Sequence, residues 1–324
     1  MNRPQNVFDK SYGDRLMSEP NIPKVSVCIP TFNGAGYLYQ AVESVLAQNY
    51  QDFEIVIVDN CSTDQTVTVV EDLQKKSNRR IRFYKNDRNI GLVGNFNKCL
   101  EYAQGTHIKF LCVDDLLLPG CLEQMVAALD AHQTVTLVCG GRLIINETGE
   151  KLGLKQYPSR DIMIRGSKAI TRCLFGKNYI GEPTAVMFRK SDLTGHFRED
   201  LPQLVDMEMW FRLLEQGDLL NIKGPLCAIR LHSEQMSQTN CKSGQPIEDR
   251  IKLIDDYSQK AYLEITPLLE MQHMLRMSYR VWIYREFISD DRRKIILDRY
   301  ASKLAYMLMP VVWFVLSLKK RIML

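Results

Sequence analysis

The sequence predicts an α/β protein built on a mostly parallel central sheet and continued by a helical carboxyl-terminal region. Two observations carry that prediction. Short apolar runs of strand type alternate with apolar stripes at helical spacing from Val25 to Cys139, the pattern of a sheet covered by helices on both faces. Beyond about Asn240 the strand-type runs cease and helical spacing takes over.

The elements follow in order. Val25 to Ile29 reads as a short buried strand, the segment from Pro30 to Gly34 breaks it, and Leu38, Ala41, Val42, Val45 and Leu46 then mark a helix. Glu54 to Val58 is a second strand, closed by Asp59; Ser62, with Gln65 three residues on, reads as a capping box opening the next helix. A third strand spans Ile81 to Tyr84, and Phe96, Cys99, Leu100 and Ala103 form another helical stripe. His107 to Val113 is a fourth strand ending at Asp114-Asp115. After Pro119, Leu122, Met125, Val126 and Leu129 mark a helix, and Val135 to Cys139 is the next strand. The rhythm then loosens. Strands are expected at Arg142 to Asn146, Ala185 to Arg189 and Leu226 to Leu231, with a helix starting at Asp206.

Composition narrows the class. In 324 residues, 45% apolar and 25% charged, a chain can bury a full core, and a net charge of +4 with scattered basic residues calls for no nucleic-acid partner. The nine cysteines are odd in number, form no CxxC and mostly sit inside apolar patterns, which fits reduced thiols in the cytoplasm. Residues 1–23 read as a polar lead-in without the apolar core of a secretory signal. From Leu304 to Leu318 runs an apolar stretch broken by Pro310 and followed by Lys319, Lys320 and Arg321. At about 15 residues it falls short of the roughly 20 that cross a bilayer. It suits a helix lying in the membrane interface, or equally one packed on the protein's own core or a partner chain. The expected division is therefore 24–240 for the sheet-based domain and 241–324 for the helical region.

In sheets of this kind ligands bind beyond the carboxyl ends of the strands, where Thr31, Asp59 and Asp114-Asp115 stand. Two adjacent carboxylates repel each other, and a cation bound by oxygen ligands, Mg²⁺ or Mn²⁺, relieves that repulsion. A solvated turn after a strand explains the same pair without a metal. A dinucleotide-binding fold is a rival: Gly34 and Gly36 supply two glycines and Asp59 the downstream acid, but Tyr39 occupies the third glycine position.

Pro30-Thr31-Phe32-Asn33, Val58-Asp59-Asn60-Cys61-Ser62-Thr63-Asp64-Gln65-Thr66, Asn89-Ile90-Gly91 and Phe110-Leu111-Cys112-Val113-Asp114-Asp115 occur in this order. Together they resemble the family 2 glycosyltransferases, strongly over Lys24 to Asp130 and more loosely to Ser237. The resemblance implies a GT-A fold, a nucleoside-diphosphate sugar as donor (a UDP-sugar above all) and a divalent cation, Mn²⁺ or Mg²⁺. It implies that Thr31 and Phe32 flank the nucleoside, that Asp59 bonds the base, and that Arg88 approaches the base or diphosphate. Asp114 would contact the ribose or sugar and Asp115 the metal. Cys112 departs from the pattern, since many relatives carry an acid there.

The same resemblance makes Asp206 the general base of an inverting transfer, with Glu208 as the nearby substitute, although an Asp at a helix start is also an ordinary N-cap. Arg230-Leu231-His232, followed by Ser233 and Ser237, resembles a late segment that approaches the diphosphate or metal, so Arg230 is expected at the donor and His232 at the metal. Glu182, in Gly181-Glu182-Pro183-Thr184, is expected on the acceptor side. These readings describe a transferase acting on a saccharide or lipid-linked saccharide in cell-surface polysaccharide or glycolipid synthesis, in the cytoplasm or at the inner face of the cell membrane. A catalytically silent binding or scaffolding subunit of the same fold is the alternative.

Overall fold

A computed structural model describes residues 22–77, 81–155, 159–233, 235 and 244–310. Most of the lead-in, Ser237, Cys241 and everything from residue 311 onward lie outside the described residues. The expected interfacial helix is therefore described only over its first turns, and the basic group 319–321 not at all.

Strands β1 (Val25–Thr31), β2 (Phe53–Asp59) and β3 (Ile81–Lys85) pair in parallel, and β4 (His107–Phe110) extends the ladder from the other side of β1. β1 and β2 are buried along their whole length because helices cover both faces. Val25, Val27 and Ile29 share one core with α1 (Ala35–Leu46) and α2 (Thr66–Lys76), while Cys28 joins the opposite core with α3 (Gly91–Tyr102). The period of two thus sends alternate residues of one strand into two cores.

After the two-residue strand β5 (Leu116–Leu117) and α4 (Cys121–Ala131), β6 runs unbroken from Val135 to Ile145. It merges two strands expected on either side of Gly140-Gly141. These glycines do not interrupt the strand; they admit its neighbour. A Cβ on Gly140 would lie 2.7 Å from the Leu226 side chain, and one on Gly141 2.7 Å from the Gly224 carbonyl. β7 (Lys151–Lys155), β8 (Ile162–Ile164), α5 (Gly166–Phe175), β9 (Val186–Arg189), α6 (Val205–Leu214) and β10 (Asp218–Arg230) follow. The spatial order is β3-β2-β1-β4-β9-β6-β10-β5, with β7 on β6 and β8 on β10. The sheet is parallel from β3 to β4 and again between β6 and β10, and β5, β7, β8 and β9 join antiparallel.

The carboxyl-terminal region is helical, as expected: α7 (Gln245–Tyr257), α8 (Pro267–Ile283), α9 (Asp290–Arg299) and a helix over 303–310. It is not insulated from the rest. Ile247, Ile251 and Ile254 of α7, Met277 and Val281 of α8 and Ile296 of α9 share a core with Trp210 and Phe211 of α6. The expected boundary near residue 240 marks a change of composition, while the apolar packing runs across it.

Candidate active site

The parallel register places Thr31 beside Asp59 at the carboxyl edge of the sheet. Asp59 is fully buried, and its neighbour in sequence explains how. The backbone N–H of Ser62 donates to both carboxylate oxygens at 3.2 Å, and the Ser62 hydroxyl donates to Oδ1. This corrects the expected capping box. The helix starts at Thr66, so Ser62 is free to hold Asp59, and the Asn33 N–H donates to its hydroxyl oxygen at 2.8 Å. Asp64 then bridges the two loops, accepting from the N–H of Ala35 at 3.0 Å and from the hydroxyl of Thr66 at 2.5 Å. Gly34 is required where the loops meet, because a Cβ there would lie 2.4 Å from Thr31 Oγ1. That hydroxyl is buried without a hydrogen-bond partner, as expected for a group awaiting a ligand at the strand end. Phe32 is exposed beside it.

Asn60 fastens the third loop to this edge. Its Nδ2 donates to Asn89 Oδ1 at 2.8 Å and its Oδ1 accepts from the Ile90 N–H at 3.0 Å. Arg88 is exposed on that loop and opens onto a cleft of about 810 Å³ with Lys98, Glu101, His196 and Glu199. None of the other expected site residues lines that cleft.

The two aspartates of the pair face different surroundings. Asp115 is buried, its Oδ2 accepting the Thr184 hydroxyl at 2.6 Å and its Oδ1 the Arg230 N–H at 3.0 Å. Burial, and then the charge of Asp114, push its carboxyl well above the usual range. Asp114 is more open, and its Oδ2 lies 3.0 Å from His232 Nε2 and 3.4 Å from Gln235 Nε2. One ligand atom each of Cys112, Asp114 and Asp115 falls within 4.8 Å of the others. Asp114 and His232 are the more open donors, whereas each oxygen of the buried Asp115 already accepts one hydrogen bond and keeps a further lone pair. Burial, then Asp115 and Asp114, raise the Cys112 thiol well above its ordinary value.

Arg230 differs from the expected diphosphate ligand. It is 1% exposed, and its guanidinium donates to the carbonyls of Asp114 (2.9 Å), Asn146 (3.2 Å) and Glu147 (2.8 Å) and to Gln40 Oε1 (2.9 Å). It is a buried strut joining α1, the end of β6 and the aspartate loop. Tyr37 packs against both members of the late segment, its ring 4.9 Å from the Arg230 guanidinium and 5.3 Å from the His232 ring.

On the loop that carries Thr184, Trp210 Nε1 donates to the Gly181 carbonyl at 3.2 Å and Arg142 Nη1 to Glu182 Oε2 at 3.0 Å. The buried Lys109 ammonium donates to the carbonyls of Thr184 and Val186 beneath them. Glu182 is half-exposed on this braced loop. Asp206 lies in the first turn of α6, which starts at Val205, so it is not the N-cap. Burial is the main cause that raises its carboxyl to about 7, the Met207 N–H opposes the shift, and Glu182 adds to it. Glu208 is a second correction. It is 2% exposed and ion-paired with Arg212 at 3.0 Å. Two residues along a helix turn a side chain by about 200°, so Glu208 points away from the side that Asp206 occupies.

Thr184 and Tyr37 are the contributors that the sequence pattern did not single out in these roles. Thr184 stands in the segment singled out for Glu182 and Tyr37 in no motif; each role is recognised only by what the fold sets beside it.

Comparison with known proteins places this geometry. The family model described as glycosyl transferase family 2 matches residues 26–197. A Haemophilus influenzae protein described as an uncharacterized glycosyltransferase is 26% identical over 290 residues, covering 85% of this chain and 89% of that protein. An uncharacterized Mycobacterium tuberculosis protein is 33% identical over 230 residues, covering 68% and 70% respectively. Among solved structures, S. aureus TarS in complex with UDP-GlcNAc aligns with a TM-score of 0.59 at 19% identity, over 82% of this chain and 73% of that one. The mannosyltransferase PcManGT from Pyrobaculum calidifontis, in complex with GDP-Man and Mn²⁺, aligns with a TM-score of 0.56 at 15% identity, over 90% and 80%.

Proposed function

The chain belongs to glycosyl transferase family 2 and has the GT-A fold, and from that premise we propose that it is an inverting enzyme moving a sugar from a nucleoside-diphosphate donor to an acceptor hydroxyl. Family membership sets aside the dinucleotide-dependent oxidoreductase. The observation that carries the proposal is that Asp206, its carboxyl raised to about 7, lies close enough to the aspartate loop to act on the Cys112 thiol, as Asp115 and Asp114 do.

Thr31, Phe32 and Asp59 receive the nucleoside. The orphaned Thr31 hydroxyl and the remaining acceptor capacity of Asp59 suit the polar groups of a base. UDP-GlcNAc in TarS supports a UDP-sugar as donor. Asp115 and His232, with Asp114 in the same group of potential ligands, would hold a divalent cation, and Mn²⁺ in the mannosyltransferase supports that reading. Asp115 also fixes the loop that carries Asp114. The cation, when bound, supplies positive charge to the departing diphosphate. Asp206, poised near neutrality, takes the proton of the acceptor hydroxyl as it attacks from the opposite face, and a single displacement inverts the anomeric centre. Glu182 lines the acceptor side beside it.

A saccharide or lipid-linked saccharide acceptor and a site at the inner face of the membrane complete the reading. On the helix over 303–310, Leu304 and Met307 are each 66% exposed, and on α8 Leu268, Met271, Leu275 and Tyr279 form an exposed apolar stripe. The sequence continues apolar to Leu318 before three basic residues. No helix among the described residues is long and apolar enough to cross a membrane, so contact through an interfacial surface is the mode proposed. Sedimentation with anionic lipid vesicles tests this, and Leu304→Glu with Met307→Glu should abolish it.

The catalytic proposal is tested by UDP release from a panel of UDP-sugars with Mn²⁺ or Mg²⁺, with the product's anomeric configuration read by NMR. A retained configuration, or no turnover of any nucleotide sugar, overturns it; the latter outcome favours the silent subunit.

A further inference from the structure

The helix carrying Asp206 has no capping side chain of its own. Its N-cap residue is Leu204, and no side chain of the local sequence bonds the first turn from that position. An acceptor for the segment leading into the helix comes from α7, in the carboxyl-terminal region. Asp249 Oδ2 accepts from the N–H groups of Gln203 at 2.6 Å and Leu204 at 3.0 Å, while Oδ1 accepts from Gln245 Nε2 at 2.5 Å. Asp249 is 1% exposed. A buried carboxylate on backbone N–H groups at a helix amino terminus forms charge-assisted bonds aligned with the helix dipole.

We infer that Asp249 is a positioning residue for Asp206, holding the start of α6 so that the carboxylate two residues into the helix stays free for the acceptor. The inference rests on the reading of Asp206 as base. The arrangement divides two duties between two acids. An aspartate at a helix start ordinarily caps it, and a capping carboxylate spends its oxygens on the backbone. Here Asp249 meets the demand of the segment leading into α6, and Asp206 accepts the adjacent Met207 N–H at 2.7 Å and its own backbone N–H.

Asp249 sits on a helix that is itself packed into the core. Ile247, Ile251 and Leu253 seat α7 in the core shared with Trp210 and Phe211. The next residue, Arg250, binds the carbonyls of Cys173 and Leu174 at 3.1 and 3.2 Å, tying α7 to the end of α5. Its cation also lies close enough to act on Asp206. The helical region thus completes the setting of the base, although it carries no recognisable motif.

The test compares Asp249→Asn, Asp249→Glu, the milder Gln245→Ala and Asp206→Asn in the full-length chain. Amide hydrogen exchange is followed over residues 203–208, and UDP release from UDP-GlcNAc with Mn²⁺ is measured across the pH range. Asp249→Asn should speed exchange at 203–208 and lower kcat on the order of 10- to 100-fold, with KM for the donor held within about twofold. It should also displace the ascending pH limb, and Asp249→Glu should restore part of the loss. Gln245→Ala should act in the same direction and more weakly. Unchanged exchange at 203–208 in Asp249→Asn overturns the inference even without turnover, as does a parallel loss of donor affinity and kcat. If Asp206→Asn abolishes turnover while Asp249→Asn leaves kcat and the pH limb untouched, only the positioning role fails. If Asp206→Asn itself remains fully active, the base assignment fails first.

Discussion

Asp114 Oδ2 and His232 Nε2 lie 3.0 Å apart, although 118 residues separate them in the chain. The contact depends on β10 returning to pair with the short β5, which brings the end of β10 over the aspartate loop. Asp115, adjacent in sequence, turns the other way and bonds the backbone of Arg230.

This asymmetry separates the two carboxylates experimentally. Asp114→Asn and His232→Ala should each abolish the heat stabilisation that UDP with Mn²⁺ confers, leaving the melting temperature of the free protein within a few degrees of wild type. Turnover should drop by about 100-fold or more. A free-protein melting temperature that falls as far as that of an Asp115 variant would remove the distinction.

Asp115 and its partner should report on stability as well. Thr184→Val removes the hydroxyl that donates to Asp115 Oδ2, leaving a buried acceptor short of a partner at a cost of about 1–3 kcal/mol. Urea unfolding measures this directly. An unchanged unfolding midpoint would show that the bond contributes nothing.

Arg230→Met should likewise act through folding. Three backbone carbonyls and Gln40 lose a donor at once, so the loss should reach several kcal/mol, at about 1–3 kcal/mol for each buried acceptor left unsatisfied. A variant with wild-type stability but a greatly weakened donor KM would return Arg230 to the diphosphate.

Asp206 predicts two opposite pH trends. As a base it works only when ionised, so kcat should rise with pH through a limb centred near 7 and flatten above it. Stability should run the other way. The folded-state pKa is raised from 3.8 to about 7, so the folded chain binds the proton more tightly than the unfolded chain. That contribution is complete below about 3.8 and is lost as pH rises through 7. Asp206→Asn should therefore be inactive and melt higher than wild type at pH 8, with little difference in acid. Equal melting curves at both pH values would contradict the burial of this carboxyl.

Glu208→Gln should keep turnover within a few-fold of wild type while weakening its pairing with Arg212. A loss of activity matching that of Asp206→Asn would transfer the base to Glu208.

Much of this protein was legible in the linear sequence. Apolar runs of period two and stripes of period 3.6 depend on neighbours in the chain, so the strands from Val25 to Phe110 and the helices between them could be read there. So could the chemistry at their ends, because Thr31 and Asp59 close parallel strands at one edge, and Asp114 follows β4 by a short turn at the same edge. The glycines at 140 and 141 misled because their reason, the close approach of β10, lies more than 80 residues away.

What only the tertiary structure decided is which polar residues remain open and which are spent on internal contacts. Asp114 and Asp115 are equivalent as letters, yet one meets His232 and the other is bonded by Thr184 and Arg230. Arg230 and Glu208 looked equally available and are buried in internal contacts. Asp206 could have been a cap, yet α6 starts at Val205 and the segment before it is held by Asp249, from a helix without any motif. Local periodicity determines which residues reach an edge or a core. Hydrogen-bond satisfaction among groups scores of residues apart determines which of them remain free to act.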